Sequence, residues 1–489
     1  MKPAFIQSKL FWGGVALSAV LLGGVALKHR NSTSTFPSTV VSPISSNVAQ
    51  PTDPNQILAG VETMTHPSVL TATDKEMAKW FAKAKANSGD SVSWVNLGDT
   101  LMQKARETAN PAYYDHAEQV YRNALNFNAQ NSDAMVGLAW VNGERHVFDK
   151  SIEWANKALT VNSKNNFAYG LLGDAQVELG DYEGAFKSLQ TMLDIRPDLS
   201  SYSRGAYLLS LTGDNRKARW LMDKAIKSGA PYAENTAWCR AQLGQILLSD
   251  GNLLVAEQEL TKAIKLTPYN VQVLAAMAKV KTARKDYPGA IALYQKINAQ
   301  TPQHNATVAI GDLYILLGDK ANADKTYAEV IALHERNKGT AHDHMQLAQF
   351  YADHDQNPVE AVRLAEEHKT TQNVFEADIL AWAYYQNGQY EEAQKAIMTA
   401  TRCHTPDAKM IYHAGMIALK RNDRPNGRKL ISQALSVNPD AYPLMAQKAA
   451  ATLKELGETS GNEPPLANAT QPNSALPSPE KPDPAKATR

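Results

Sequence analysis

The sequence contains none of the short motifs that mark common enzyme sites. It has no glycine-rich phosphate-binding loop, no GxSxG elbow, no HExxH pair and no CxxC motif. The nearest metal-like group is His342, His344 and His354, but the first two lie about 200° apart on a helix and cannot share a metal ion. The sequence therefore predicts no catalytic residue, no metal site and no cofactor, and it favours a protein that is not an enzyme.

No charge of one sign dominates the chain. Lys and Arg number 50, Asp and Glu number 49, and the two kinds are interspersed, which gives a net charge of +1. Proteins that bind nucleic acids usually carry a clear basic excess or stripe. The densest basic cluster, between Lys420 and Lys429, is short and is interpreted as a solvated helix face. The composition gives no reason to expect a nucleic-acid partner.

What the chain does have is a small residue that recurs every 32 to 38 positions. The series is Ala117, Ser151, Ala185, Ala218, Ala256, Ala290, Ala323, Ala361, Ala393 and Gly427. An interval of about 34 residues accommodates two helices of three to four turns and their connecting turns. Several members follow a glycine that is expected to end a helix in the left-handed region, namely Gly180, Gly213, Gly251, Gly318 and Gly388. The pattern predicts a stack of helical hairpins.

Other positions keep the same register. They include Trp94, Leu97, Gly98, Tyr121 and Ala124 in the first unit, Leu172, Gly173 and Pro197 in the third, and Gly311, Tyr314 and Tyr327 in the seventh. This pattern resembles the tetratricopeptide repeat. The resemblance covers about ten units over residues 91–440 and implies an all-α fold, a right-handed α-α superhelix. Cys239 and Cys403 would then lie about five repeats apart, too far for a disulfide.

A narrower resemblance concerns stretches such as ADILAWAYYQNGQYEEA, which are similar to a group of exported, membrane-anchored bacterial repeat proteins. It implies a location outside the cytoplasm but supplies no reaction.

The N-terminal region, residues 1–30, is expected to be a membrane anchor. Leu10 to Leu27 is an uncharged run of 18 residues with basic residues on both sides. At about 1.5 Å per residue it would reach about 27 Å, close to the thickness of a bilayer core. The alternative is a signal peptide cleaved near Asn47 to Ala49, which would release a secreted or periplasmic protein. Because the flanking charges almost balance, orientation rests on the exported-family resemblance, which favours the extracytoplasmic side; a repeat domain that faces the cytoplasm is the alternative.

The regions that flank the repeats are assigned as follows. Residues 31–72 are rich in Ser, Thr and Pro and are expected to form a flexible tether. A capping helix within residues 73–90 would start with a capping box of Thr73 and Glu76. A closing helix is expected within residues 441–456, and the tail, residues 457–489, holds seven prolines and is expected to be disordered.

In the tetratricopeptide family, the first helix of each repeat lines a concave groove. Transferring its positions to this sequence gives a predicted partner-binding set of Asp99, Trp140, Asp174, Tyr207, Asp312, Trp382, Tyr385 and Tyr412. Acidic and aromatic groups would suit a protein or peptide segment that carries Lys or Arg. The alternative is that the aromatics wedge between helices and the aspartates cover a wet surface.

These features predict a membrane-tethered, non-enzymatic scaffold that binds protein or peptide partners, with assembly of an envelope complex as one role it could serve. One alternative is a regulatory or substrate-presenting subunit of an envelope enzyme, and another is a secreted soluble repeat protein. The subtype that clamps chaperone carboxylates has Lys, Asn and Arg at the fifth and ninth positions. This chain has Val95 and Asp99 there in the first unit, so that partner is not expected.

Overall fold

Helices joined by short turns make up the part of the chain that the structure describes. The structure is a computed structural model and describes residues 53–63, 72–108, 110, 112–231, 233–337, 341–369 and 371–457. Within these ranges there are 23 α-helices, two short 3-10 helices and no strand, which confirms the predicted all-α class for the described residues. The predicted span at 10–27, most of the tether and the tail from residue 458 onward lie outside them.

The α-helices are, in chain order, α1 (Pro54–Glu62), α2 (Ala72–Ala86), α3 (Ser91–Thr108), α4 (Ala112–Phe127), α5 (Ser132–Glu144), α6 (Phe148–Val161), α7 (Asn166–Glu178), α8 (Tyr182–Ile195), α9 (Leu199–Leu211), α10 (Asn215–Ser228), α11 (Glu234–Ser249), α12 (Leu253–Leu266), α13 (Val271–Ala283), α14 (Tyr287–Asn298), α15 (His304–Leu316), α16 (Lys320–Asn337), α17 (Ala341–Asp353), α18 (Pro358–Ala365), α19 (Val374–Gln386), α20 (Tyr390–Thr401), α21 (Ala408–Lys420), α22 (Arg424–Val437) and α23 (Pro443–Glu455). The 3-10 helices are Glu366–His368 and Pro439–Ala441. Helices α3 to α22 form ten consecutive pairs, numbered here as repeats 1 to 10.

Small residues allow the two helices of a repeat to approach closely. Ala117, Ala185 and Ala323 from the predicted series have no exposed surface. In repeat 7 the ring of Tyr327 lies directly over Gly311, where an added Cβ would come within 2.3 Å of the ring. The recurring small residues therefore record helix packing within and between repeats.

The turn inside each hairpin needs one residue with left-handed backbone. All five glycines expected there have positive φ, between 73° and 89°, which confirms that prediction. His146, Lys285 and Asn422 also have positive φ, at the corresponding turns of repeats 2, 6 and 10. The backbone geometry is thus repeated even where the glycine is missing.

The described residues divide into two units, one that ends at Ala168 and one that begins at Tyr169. In the N-terminal unit, α1 lies inside the range expected to be flexible tether. Its Ile57, Leu58 and Val61 are buried, because it packs on α4. The tether prediction therefore does not hold for this stretch, since the segment has enough apolar side chains to bury.

Helix α2 covers the start of repeat 1, although not with the expected capping box. Thr73 lies within the helix and its hydroxyl donates to Glu107, while Glu76 pairs with Lys79. A buried ion pair, Lys104 to Asp74 at 2.7 Å, joins α3 to α2. The capping-box assignment was wrong because the Thr73 hydroxyl forms a tertiary contact with Glu107 instead of capping the helix.

In the C-terminal unit, the stack of repeats turns back on itself along a line of contacts that we call the seam. The seam joins the hairpin turns of repeats 3, 4 and 5 to loops 190 to 222 residues later in the chain. Its contacts are Asn373 Nδ2 to Glu178 O at 3.1 Å, Val374 N to Tyr182 Oη at 3.0 Å, Arg402 to Gly180 O at 2.6 Å, Gly213 beside the carbonyl of His404, and Asn438 to Leu248 O. The turn of repeat 3 therefore meets the loops on both sides of the pair α19 and α20, while the turns of repeats 4 and 5 each meet one later loop.

The last helix, α23, packs on α22 and also contacts α15 of repeat 7. Its Met445, Ala449 and Leu453 are buried, and Lys448 pairs with Asp355 at 3.2 Å. Among the described helices, none is both long and apolar enough to cross a membrane.

Candidate functional site

The three aspartates predicted to face a partner are all engaged within the protein. Tyr121 Oη donates to Asp99 Oδ1 at 2.7 Å, and Tyr327 Oη donates to Asp312 Oδ1 at 2.7 Å. In both repeats the tyrosine ring covers the glycine that precedes the aspartate. Burial raises the pKa of Asp99 to about 7, against the lowering effect of the bond from Tyr121. The Gly-Asp pairs are therefore part of the contact between the two helices of a repeat.

Asp174 is not an exposed groove acid. Its carboxylate forms an ion pair with Arg204, with Nε to Oδ distances of 3.0 and 2.9 Å, and the two side chains are only 4% and 2% exposed. Asp312 has a second partner, because His354 Nε2 lies 2.8 Å from its Oδ1. The charge that was expected to attract a basic segment is compensated internally at these two positions.

The predicted aromatics mostly pack between helices. Trp382 is stacked between Tyr385 and His413, with ring centroids 4.5 and 4.1 Å away, and Tyr412 lies 5.9 Å from it. All three of Trp382, Tyr385 and Tyr412 are at most 9% exposed. In the N-terminal unit, buried Trp140 donates through Nε1 to Glu144. These contacts match the alternative in which the aromatic side chains pack between adjacent helices. A partner-binding role for these residues stays a prediction.

Tyr207, another of the predicted residues, lines a cavity. The cavity lies inside the C-terminal unit and has a volume of about 280 Å³. One wall is formed by the first helices of repeats 4, 5 and 6, which are α9, α11 and α13; the other is formed by α19, the loop before α21 and the residue before α23. The lining side chains are Tyr207, Ser210, Leu211, Gln242, Gln245, Ile246, Ser249, Gln272, Ala275, Ala276, Lys279, Phe375, Thr405, Pro406, Asp407 and Tyr442. The seam connects the elements that carry these two walls.

Several polar groups in the cavity have few protein partners. Thr405 Oγ1 is buried and has no hydrogen-bond partner among the described residues. The side-chain amides of Gln242 and Gln272 also have no hydrogen-bond partner among the described residues. Asp407 is better satisfied: Oδ1 accepts from the Met410 amide at 2.9 Å and Oδ2 accepts from Tyr442 Oη at 2.9 Å. The cavity is partly open, so Gln242 and Gln272 can bond to solvent or to a polar occupant, whereas the Thr405 hydroxyl is buried.

Lys279 supplies the positive charge of the cavity. Its Nζ donates to Gln245 Oε1 at 3.3 Å, and no carboxylate of the described residues lies within ion-pair distance. The side chain is exposed at the mouth of the cavity, and partial desolvation by the neighbouring protein lowers the pKa of the ammonium, an effect that the Asp407 carboxylate opposes. The cavity thus combines one solvent-exposed cation with amide and hydroxyl groups.

Comparison with known families finds a match in three segments of the chain. A family model described as tetratricopeptide repeat matches residues 168–199, 305–337 and 379–402, which lie in repeats 3, 7 and 9. These three segments are similar to the tetratricopeptide repeat. No curated protein matches it.

Solved structures with similar architecture include a thermophilic TPR protein of Thermus thermophilus, at 19% identity and a TM-score of 0.33, with 37% of this chain and 98% of that chain covered. The human IFIT1 dimer with PPP-AAAA is 11% identical, with a TM-score of 0.42 and coverage of 78% and 94%. The APC/C hetero-tetramer Cut9-Hcn1 is 12% identical, with a TM-score of 0.35 and coverage of 81% and 98%. Similarity at this level carries no argument about function.

The register of the tetratricopeptide repeats also explains which cavity residues the sequence interpretation missed. Gln242 and Lys279 occupy the ninth positions of α11 and α13, as Tyr207 does in α9. That position was used to select Asp99, Asp174 and Asp312 in other repeats. Applied to repeats 5 and 6, it would have identified both residues, although no sequence signal shows which ninth positions face a cavity.

Proposed function

We propose that this chain is a non-enzymatic scaffold that binds a segment of a protein partner in the cavity between the first helices of repeats 4 to 6 and the later loops. The observation that supports this most directly is that three polar side chains of the lining, Gln242, Gln272 and Thr405, have no hydrogen-bond partner among the described residues. In this partly open cavity, water or a ligand can supply the hydrogen bonds that the two glutamine amides and the Thr405 hydroxyl do not receive from the protein. A peptide backbone offers one donor and one acceptor per residue, which suits glutamine amides.

The expected preference for basic segments has less support. It rested on Asp99, Asp174 and Asp312, whose carboxylates are engaged by Tyr121, Arg204 and Tyr327. A partner that approached them would have to displace hydrogen bonds already formed. The proposed site is therefore the cavity rather than this set of acids.

Blocking the cavity tests the proposal. Gln272→Trp places a large ring at a half-buried position of the lining, whereas Gln295→Trp makes the same change at an exposed position of α14. Partners are crosslinked in native membranes, recovered with each variant and quantified by mass spectrometry. We expect Gln272→Trp to lose the partner that the wild type and Gln295→Trp retain. Equal recovery with all three proteins would contradict the proposal, provided that circular dichroism shows all three folded.

The same recovery experiment addresses the nature of the partner. Recovery of several structural envelope proteins supports a general scaffold. Recovery of one dominant enzyme would instead favour a regulatory or substrate-presenting subunit of that enzyme.

The scaffold is tethered to the outer side of the cytoplasmic membrane in this proposal. Support comes from the uncharged run Leu10 to Leu27 and from the resemblance to exported repeat proteins. Mass spectrometry of the N-terminus in a membrane fraction tests it. A chain that retains Met1 or Lys2 is expected, whereas one that begins near Gln50 would favour the secreted alternative.

A further inference from the structure

We infer that the outer face of α2 docks on an anionic lipid surface through its lysines. This face, which we call the lysine face, consists of Lys75, Lys79 and Lys83 with Ala78 and Ala82 between them, and all five residues are exposed. The inference goes beyond the proposed function, because it concerns the N-terminal unit and not the cavity. It adds a lipid surface to the proposed protein partner.

The lysine face follows from the helical spacing of α2. Lys75, Lys79 and Lys83 are four residues apart, so they form one stripe that extends about 12 Å along the helix. The opposite side carries Met77 and Ala84, which are buried because α2 packs on α3. One side of the helix thus belongs to the protein core, and the exposed residues of the other are all lysine or alanine.

The positive charge of this face has little opposition on the same helix. Helix α2 has four lysines and two carboxylates, Asp74 and Glu76. Asp74 is buried and pairs with Lys104 of α3 at 2.7 Å, so its charge does not reach the exposed face. Glu76 pairs with Lys79 at 2.9 Å. A net positive surface is attracted to anionic headgroups, and each lysine close to them strengthens the binding about fivefold.

Aromatic side chains border the lysine face on both sides. Trp80 and Phe81 are half-buried, one at each edge between the exposed and the buried side of α2. The ammonium groups of Lys79 and Lys83 lie over the Trp80 ring, 4.8 and 4.3 Å from its centroid. That of Lys85 lies 5.6 Å from the centroid of Phe81. Aromatic rings beside lysines are typical of helices that lie on membranes, because the ring enters the headgroup layer while the ammonium stays among the phosphates.

Helix α6 of the same unit provides a contrast. Lys157 lies over the ring of Trp154 at a distance of 4.3 Å, the same as for the closer lysine on α2. Lys150 and Lys157 both pair with Glu153, at 2.5 and 2.8 Å. The lysines of α6 therefore share a carboxylate on their own surface, whereas one of the three lysines of the lysine face has such a partner on α2. Exposed lysines and a nearby tryptophan are common to both helices, and the charge balance distinguishes them.

The place of α2 in the chain agrees with a membrane contact, a step that uses the anchor of the proposed function. Residues 28–52 join the run Leu10 to Leu27 to the segment that begins α1, and 25 residues span at most about 90 Å. Because α1 contacts α2, the lysine face lies near the end of this connection. Tethering raises the effective concentration of the face at the bilayer, which strengthens a weak electrostatic contact.

Lysine footprinting on vesicles tests the inference. The full chain is incorporated into vesicles of phosphatidylcholine alone, or of equal parts of phosphatidylcholine and phosphatidylglycerol. The membrane-impermeant reagent sulfo-N-hydroxysuccinimidyl acetate acetylates the outward-facing lysines, and mass spectrometry follows each of them. Lys164 is the reference, because it is exposed in the same unit and follows α6.

We expect phosphatidylglycerol to slow acetylation of Lys79 several-fold relative to that of Lys164. About 1 M salt, at which the Debye length is about 3 Å, should remove the difference. The double variant Lys75→Gln with Lys83→Gln should lose the protection of Lys79, because two lysines fewer weaken the binding roughly 25-fold. The matched control removes two lysines from α6, Lys150→Gln with Lys157→Gln, and should keep it.

Equal acetylation of Lys79 in the two kinds of vesicle overturns the inference. Protection that survives Lys75→Gln with Lys83→Gln also overturns it, because the lysine face would not be its cause. A short DNA duplex is added without vesicles as a further probe. If it protects Lys79 as strongly as phosphatidylglycerol does, the face binds polyanions in general and the assignment to a lipid surface is wrong.

Failure of this inference can be told apart from failure of the proposed function. A chain that retains Met1 in the membrane fraction, with equal acetylation of Lys79 in both kinds of vesicle, is anchored but does not dock α2. A chain that begins near Gln50 contradicts the anchor, and the same footprint on preformed vesicles then tests the lysine face by itself. Binding in the cavity is tested separately by Gln272→Trp, which leaves α2 unchanged.

Discussion

Arg204 of repeat 4 forms a buried ion pair with Asp174 of repeat 3. The guanidinium makes contacts of 2.9 to 3.0 Å with both carboxylate oxygens, and Ser200 supplies a further partner on the same helix. Because the two residues lie on α7 and α9, the pair joins the first helices of two successive repeats. Asp174 therefore contributes to the stacking of repeats.

Removing one member of this pair should destabilise the C-terminal unit strongly. Asp174→Ala leaves the Arg204 charge buried without its partner, and losses of about 3–5 kcal/mol are typical for such changes. The measurement is the free energy of unfolding from urea denaturation, followed by circular dichroism. Glu183→Ala is the matched control, because Glu183 pairs with Lys187 and both side chains are at least 75% exposed. A similar loss in both variants would contradict the assigned role of Asp174.

A second prediction concerns Gly311 and Tyr327. Gly311→Ala introduces a Cβ that would come within 2.3 Å of the tyrosine ring, and forcing extra volume into such a contact costs about 1–3 kcal/mol. In Gly311→Ala combined with Tyr327→Leu, the loss should be smaller than the sum of the single losses, since the clash is removed. Gly89→Ala serves as a control, because the nearest atom lies 3.5 Å from its added Cβ. This account is contradicted if the losses in the free energy of unfolding of the two single variants, measured by urea denaturation, simply add up in the double variant.

The sequence predicted the repeats well because their determinants are local. The alanine or glycine that lets two helices approach, and the glycine that ends a hairpin helix, lie within one interval of about 34 residues. The repeat register also placed Asp99 and Asp312 on the first helices of their repeats, as the structure does. Repeat periodicity therefore carries most of the information on secondary structure and on nearest-neighbour packing.

The periodicity could not predict whether an aspartate on a first helix faces a partner or forms a contact within the protein. Whether Asp174 faces a partner or Arg204 depends on a residue 30 positions away that departs from the repeat pattern. The seam is harder still, because Asn438 and Leu248 are 190 residues apart and meet only through the accumulated rotation of several repeats. Small changes in rotation at each repeat decide which loops meet, and a single sequence does not show them.

The seam can be tested by removing Arg402. This side chain donates to the carbonyl of Gly180 and lies over the ring of Tyr182, with 4.8 Å to the centroid. We expect Arg402→Ala to increase deuterium exchange at the Val374 amide, which donates to Tyr182 Oη across the seam. Exchange is measured by mass spectrometry on peptides that cover residues 371–380.

Arg421→Ala is the control for this experiment, because Arg421 forms an ion pair with the exposed Glu391 away from the seam. The control should leave exchange at Val374 unchanged. If Arg402→Ala also leaves it unchanged, Arg402 does not hold the seam closed.

The seam also contains a carboxyl group that should make stability depend on pH. Burial raises the pKa of Glu178 from 4.5 to about 8, and the nearby Glu376 and Asp174 add to the effect. Its Oε1 is buried without a hydrogen-bond partner among the described residues. Between pH 4.5 and about 8 the folded protein holds this proton while the unfolded chain has released it. The group therefore contributes stability below pH 4.5 that is lost as the pH rises through about 8.

Glu178→Gln keeps the neutral form at every pH and should remove this dependence. We expect the free energy of unfolding of the wild type to fall relative to that of the variant between pH 5 and pH 8, by at most roughly 1.4 kcal/mol per pH unit. The measurement is urea denaturation of both proteins at each pH, because their difference cancels the contributions of other titrating groups such as Asp99. Curves that stay parallel over this range would show that Glu178 is already ionised in the folded protein.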